Sequence, residues 1–214
     1  MQTGPAKLLM IILCACVLGS CSSAYYATME KLGKEKRHLL KDNVEDVQES
    51  QTKAQEEFKD ALTRIKEITG FKGGELESFY NRLKSSYEDC NDRAAEIEKR
   101  IDKVETVAAD LFAEWQTEIG QINDTRLKSS SKASLAEAKA KYQKLSYAMN
   151  QSTKGMYPVL AKLNDYVLYL KHNLNARAVG ALGSEVVSIE QEVTALIQDM
   201  NRSIRAADNF IKTF

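Results

Sequence analysis

Four thiols and two imidazoles are the side chains best suited to nucleophilic or metal chemistry: Cys14, Cys16, Cys21 and Cys90, with His38 and His172. Two histidines cannot furnish a multi-histidine zinc site. Glu35 stands three residues before His38, the Glu-x-x-His spacing used by di-iron bundles. A dinuclear centre needs two such pairs, and the sequence has one. Cys90 is isolated at an apolar-periodic position, where a small core thiol is expected rather than a nucleophile. Glu118 interrupts the same stripe, and a solvent-reached place near a bundle end is expected for it. No Gly-rich loop ends in Gly-Lys-Ser/Thr, so no P-loop nucleotide site is present. The expectation is a protein that is not an enzyme, with no catalytic residue, cofactor, metal or nucleotide.

The thiol with the most informative neighbours is Cys21. Lys7 precedes an apolar run from Leu8 to Leu18, shorter than the ~20 residues a spanning helix needs and of signal-peptide length. Leu18-Gly19-Ser20-Cys21 then resembles the bacterial lipobox, with two small residues between Leu and Cys. Cleavage before Cys21 would leave its sulfur to carry a diacylglyceryl thioether. An ordinary signal peptide cut near Ala24, or a lipobox at Leu13–Cys16, are the alternatives; the second shortens the apolar core severely. Three acyl chains at about 0.8 kcal/mol per buried CH₂ would make release from a membrane negligible. Ser22 in place of an Asp leans toward the outer membrane, facing the periplasm. Processing would leave Cys90 as the one free thiol, with no disulfide possible within the chain.

The positioning elements follow from composition. The 214 residues hold 30 basic and 30 acidic side chains, a balance that excludes a broad nucleic-acid surface. Pro5 and Pro158 are the only prolines, which favours long helices over a many-turned β fold. Apolar residues recur by threes and fours throughout. The first run passes through Leu40, Val44, Val47, Gln51, Ala54, Phe58, Ala61 and Ile65, with Gln51 its polar member. The second carries Leu83, Cys90, Ile97, Val104, Leu111 and Trp115, the third Leu145, Met149, Ser152, Met156 and Leu163, the fourth Ile189, Val193, Met200, Ser203 and Phe210.

A repeat of 3.5 residues held this long implies left-handed packing of helix on helix. Breaks are expected at Gly70–Gly74, at Ser129-Ser130-Ser131 with Ser131 or Ser134 as cap, and at His172–Asn175, where either Asn could cap. The predicted helices cover 24–69, 75–128, 132–172 and 176–212. The fold class is therefore all-α: an elongated antiparallel bundle of about four long helices with coiled-coil-like packing, preceded by a cleaved signal peptide. The domains read as 1–20 signal peptide, 21–31 acylated Cys and leader, and 32–214 helical bundle.

Several features stand outside the core. Pro158 beside Gly155 predicts a kink or short break in the third helix. Lys31, Lys34, Lys36, Arg37 and Lys41 form a basic stretch that reads as a solvated face or as a contact for anionic head groups. Tyr147 and Tyr157 fall off the stripe and are candidates for a partner-binding face. Trp115 and Leu111 are expected to be packed core residues near the centre of the energy balance, and Gly73, Gly74, His172 and Asn173 to be exposed candidates for partner contact at the rod's far end.

Cys21-Ser22-Ser23-Ala24-Tyr25-Tyr26, Met29-Glu30-Lys31-Leu32-Gly33, Leu111-Phe112-Ala113-Glu114-Trp115 and Leu170-Lys171-His172-Asn173-Leu174-Asn175-Ala176 resemble the proteobacterial family catalogued as domain of unknown function 2959. The resemblance runs over the whole mature chain and implies a helical, envelope-associated protein with no assigned activity or site. The expected function is a lipid-anchored periplasmic scaffold or interaction protein with an envelope protein partner. A bundle that binds a lipidic or small apolar ligand near Met149, Met156 and Tyr166 is the alternative, and an unrecognised envelope hydrolase a third.

Overall fold

A computed structural model describes residues 35–70 and 76–214. Four α-helices account for nearly all of them: α1 (Lys36–Glu67), followed by a 3₁₀ turn (Ile68–Gly70), α2 (Leu76–Gln121), α3 (Thr125–His172) and α4 (Ala176–Thr213). The segments expected as signal peptide and leader, with Cys21, Lys31 and Lys34, and also Gly73 and Gly74, lie outside the described residues.

Side-chain partners fix the topology. Gln48 bonds Asp208, and Lys66 bonds Glu190, so α1 and α4 run antiparallel. Asp46 pairs with Arg100 and Glu67 with Arg82, which sets α1 against α2 in the same sense. Glu98 and Trp115 of α2 meet Tyr157 and Ser131 of α3. Each helix packs on its sequence neighbour, and α4 closes the ring against α1. The result is an up-down-up-down four-helix bundle. Its length follows from α3, whose 48 residues span about 72 Å at ~1.5 Å per residue.

The apolar stripes form one continuous core, with Phe58, Ile97, Leu145, Met149, Met156 and Leu163 fully buried. Trp115 and Leu111 depart from expectation: both are only partly buried at its margin. The reason is register. Lys36 Nζ sits 2.9 Å from Glu114, so Trp115 is level with the first turn of α1, where the four-helix section ends among the described residues. Past it, α2 and α3 continue together as a hairpin, and the Trp115 indole N–H donates to Ser131 Oγ at 2.9 Å.

That hairpin also corrects the second predicted break. The chain turns at Ile122-Asn123-Asp124, and Ser129, Ser130 and Ser131 lie inside α3. The Asp124 carboxylate accepts from the backbone N–H of Arg126 at 2.9 Å and Leu127 at 2.8 Å, satisfying two of the four orphan donors of the helix start. Serine costs a helix interior only a few tenths of a kcal/mol, so the triplet cannot compete with that cap. At the far end both asparagines act. Asn175 accepts from Arg177 and Ala178 N–H to begin α4, while Asn173 terminates α3 and its amide donates to the Tyr169 carbonyl.

Pro158 does not break α3, which continues through it without interruption. Its ring is on the exposed face, and Lys154, whose carbonyl loses its donor, is exposed as well, so water can hydrate that carbonyl. At Gly155 a Cβ would stand 3.4 Å from Leu196 Cδ1 and 3.7 Å from Asp199 Oδ2, ordinary contact distances, so the packing of α4 on this turn does not require a glycine.

Candidate functional site

The structure separates most of the groups that could have done chemistry. His38 is exposed in the first turn of α1 and His172 is exposed in the last turn of α3, which is parallel to α1 and so places it at the other end of the rod. Glu35 and His38 are both exposed, and no cluster of three or more metal-ligating side chains occurs among the described residues. Glu118 is exposed near the tip of the α2–α3 hairpin, as expected for it. Cys90 is fully buried in α2, and desolvation, then the nearby Glu57 carboxylate, push its thiol far above the ordinary range. A thiol held neutral in this way is a poor nucleophile.

Of the basic stretch, Lys36 pairs with Glu114 and the Arg37 guanidinium lies 5.0 Å above the Phe214 ring, so both are engaged in closing the bundle end. The off-stripe tyrosines are on the surface. Tyr147 is 68% exposed, and Tyr157 is 48% exposed with its hydroxyl donating to Glu98 at 2.8 Å, a bond that raises its pKa. Tyr147 shares an outer heptad position of α3 with Leu168, which is 51% exposed, and Tyr157 lies between them on the adjacent outer row.

Three features emerge only in three dimensions. The first is a polar layer in the middle of the core. The Gln51 amide donates to Ser152 Oγ at 2.7 Å, and Ser152 donates to the Met149 carbonyl. Gln51 Oε1 and the fully buried Ser203 Oγ have no hydrogen-bond partner. The stripe reading placed a polar residue in each of three helices, but that they meet at one level depends on helix register, which the spacing alone does not set. The second is a groove of about 480 Å³ between α1 and α2, lined by Asp46, Glu96, Lys99, Arg100 and Lys103 among others. Its two carboxylates are both engaged: Arg100 bonds Glu96 and pairs with Asp46, and bonds from Arg100 and then Arg93 hold the Glu96 carboxyl below its ordinary range, while Lys99 and Lys103 form no ion pair with any described residue.

The third is a groove of about 430 Å³ between α3 and α4, toward the end where Phe214 closes the bundle. Lys141 and Lys144 line one wall, Arg202 and Arg205 the other, over Leu145 and Phe210. Neither groove touches Met149, Met156 or Tyr166, which are buried in the core. Burial, followed by the Glu185 and Glu192 charges, lifts the Tyr166 hydroxyl to about 12.

An all-α antiparallel bundle of coiled-coil character, without convergent catalytic groups among its described residues, defines the class of protein. Residues 25–214 match the family described as "Protein of unknown function (DUF2959)", and the chain belongs to that family. Neither the curated proteins nor the solved structures contain a match to it.

Proposed function

We propose that the protein is a non-enzymatic, lipid-anchored scaffold of the bacterial envelope, acting by contact along its rod. The observation that supports this best is the outer face of α3, where Tyr147, Tyr157 and Leu168 are exposed on a helix whose inner face is already committed to a packed core. Large side chains with apolar bodies and polar tips are the groups that anchor protein contacts. Cys21, with Leu18-Gly19-Ser20 before it, supplies the anchor in this reading, and the periplasmic leaflet of the outer membrane is its place. Solid packing around Met149 and Met156 favours the scaffold over an apolar-ligand binder.

Two measurements test it. Cys21→Ser should leave an unprocessed precursor that takes up no labelled fatty acid; a variant that still labels and still fractionates with membranes rejects the anchor. A photo-crosslinking residue at Tyr147, Tyr157 or Leu168 should trap one recurring envelope protein in intact cells, and one at Lys103, in the α1–α2 groove, should not. Equal capture at all four positions, or turnover of an ester, peptide or muropeptide that one substitution abolishes, rejects the scaffold.

A further inference from the structure

From the α3–α4 groove we infer a binding site for a phosphomonoester group. The residues that line it include four cations and no carboxylate. Lys141 and Lys144 are one turn apart on α3, and Arg202 and Arg205 one turn apart on α4, so two cationic pairs face each other across one cleft. Their neutralisation is uneven. Lys141 pairs with Glu137 at 2.8 Å and donates to the Thr213 carbonyl at 2.9 Å, and Arg202 pairs with Asp199. Lys144 and Arg205 form no ion pair with any described residue, and, unlike the unpaired Lys99 and Lys103 of the α1–α2 groove, they share their groove with no lining carboxylate. Two like charges facing one groove without a carboxylate between them make it favourable for an anion.

The residue types narrow the anion. The planar guanidinium of Arg205 matches two oxygens of a phosphate at once, and Lys144 adds a compact charge. The exposed Asn209 offers a further amide donor at the rim. Beneath them Leu145 and Phe210 are buried and close the base of the groove, leaving the partly exposed Ala206 as its accessible apolar residue. The charged rim therefore dominates recognition, and either a lipid headgroup or a free phosphate would satisfy it. The inference does not rest on the lipid anchor, since the groove is formed wholly by α3 and α4.

The test uses the full chain in a nonionic detergent, titrated calorimetrically with lysophosphatidic acid, with lysophosphatidylcholine of the same acyl chain, and with inorganic phosphate. Lysophosphatidic acid is expected to bind, and K144Q/R205Q to weaken it tenfold or more through loss of two charge-assisted contacts. The control K99Q/K103Q, on the α1–α2 groove, should bind as the wild type does. Both side chains of the test pair are exposed, so its melting temperature should be unchanged, and K144R should retain binding. Inorganic phosphate binding as tightly, and weakened equally by K144Q/R205Q, supports the site and assigns a soluble source. Absence of binding by both phosphate probes, equal binding of the choline lipid, or equal losses in the two double variants overturns it.

Discussion

Gln51 of α1 and Ser152 of α3 are joined by a 2.7 Å hydrogen bond across the diagonal of the bundle, between two helices that are not neighbours in the ring. The bond aligns the two parallel helices at one level. It is surrounded by groups with less than their full complement of partners, since Gln51 Oε1 and Ser203 Oγ are buried without any. Buried polar residues of this kind cost stability and are known in coiled coils to specify register.

Replacing Gln51 by Leu should therefore raise stability, by about 1 kcal/mol, because it removes an orphaned buried carbonyl while Ser152 keeps its bond to the Met149 carbonyl. Urea denaturation of both proteins measures it. A loss of similar size would mean that the diagonal bond outweighs the orphan.

Core position decides the cost of truncation. Leu163→Ala, at a fully buried site, should lose about 2–5 kcal/mol. Leu111→Ala, at the margin, should lose clearly less, and Tyr147→Ala should stay within about 0.5 kcal/mol. Thermal melts of the three variants check the order. Leu111→Ala matching Leu163→Ala would contradict its placement.

The helix count and the faces were legible because they rest on local spacing: the stripe through Leu40, Val44 and Phe58 is buried as a helical period requires. What was not legible depended on competition between local signals or on register. Ser129–Ser131 looked like a break, yet Asn123-Asp124 a few residues earlier holds the stronger cap, and the better signal was the Asp followed by two donors it could reach. Trp115 looked central because the stripe of α2 continues through it, but where α1 begins decides how many helices surround it. The α3–α4 groove joins residues some 60 positions apart in sequence, and no spacing rule connects Lys144 to Arg205.

The two candidate caps are separable by experiment. Asp124→Ala should cost about 0.5–2 kcal/mol, the usual loss for a side-chain cap on two backbone donors. Ser134→Ala, at an exposed position within α3, should be neutral or slightly stabilising. Denaturation midpoints of the two variants are sufficient. A larger loss from Ser134→Ala would return the helix start to the serine run.

Burial of neutral acids gives the bundle a stability that should fall in alkaline solution. The Cys90 thiol is pushed far upward by desolvation, and Tyr142 and Tyr166 are each lifted to about 12 by the same cause. The sign follows from proton counts. Above the ordinary thiol value of 9.0 the unfolded chain releases the Cys90 proton while the folded chain keeps it, so unfolding is favoured increasingly as pH rises. The tyrosines add to the same slope once pH passes their ordinary value of 10.0. Stability should be level from pH 7 to about 8.5 and then decline. Cys90→Ala removes the first contribution: it should be less stable at pH 7, where it leaves a small cavity, but show a shallower decline between pH 8.5 and 10. Urea denaturation across that range provides the comparison, and iodoacetamide at pH 8 offers an independent one, since Cys90 should alkylate only after unfolding. Identical slopes for the two proteins, or rapid alkylation of Cys90 in the native fold, would remove the buried neutral thiol as the cause.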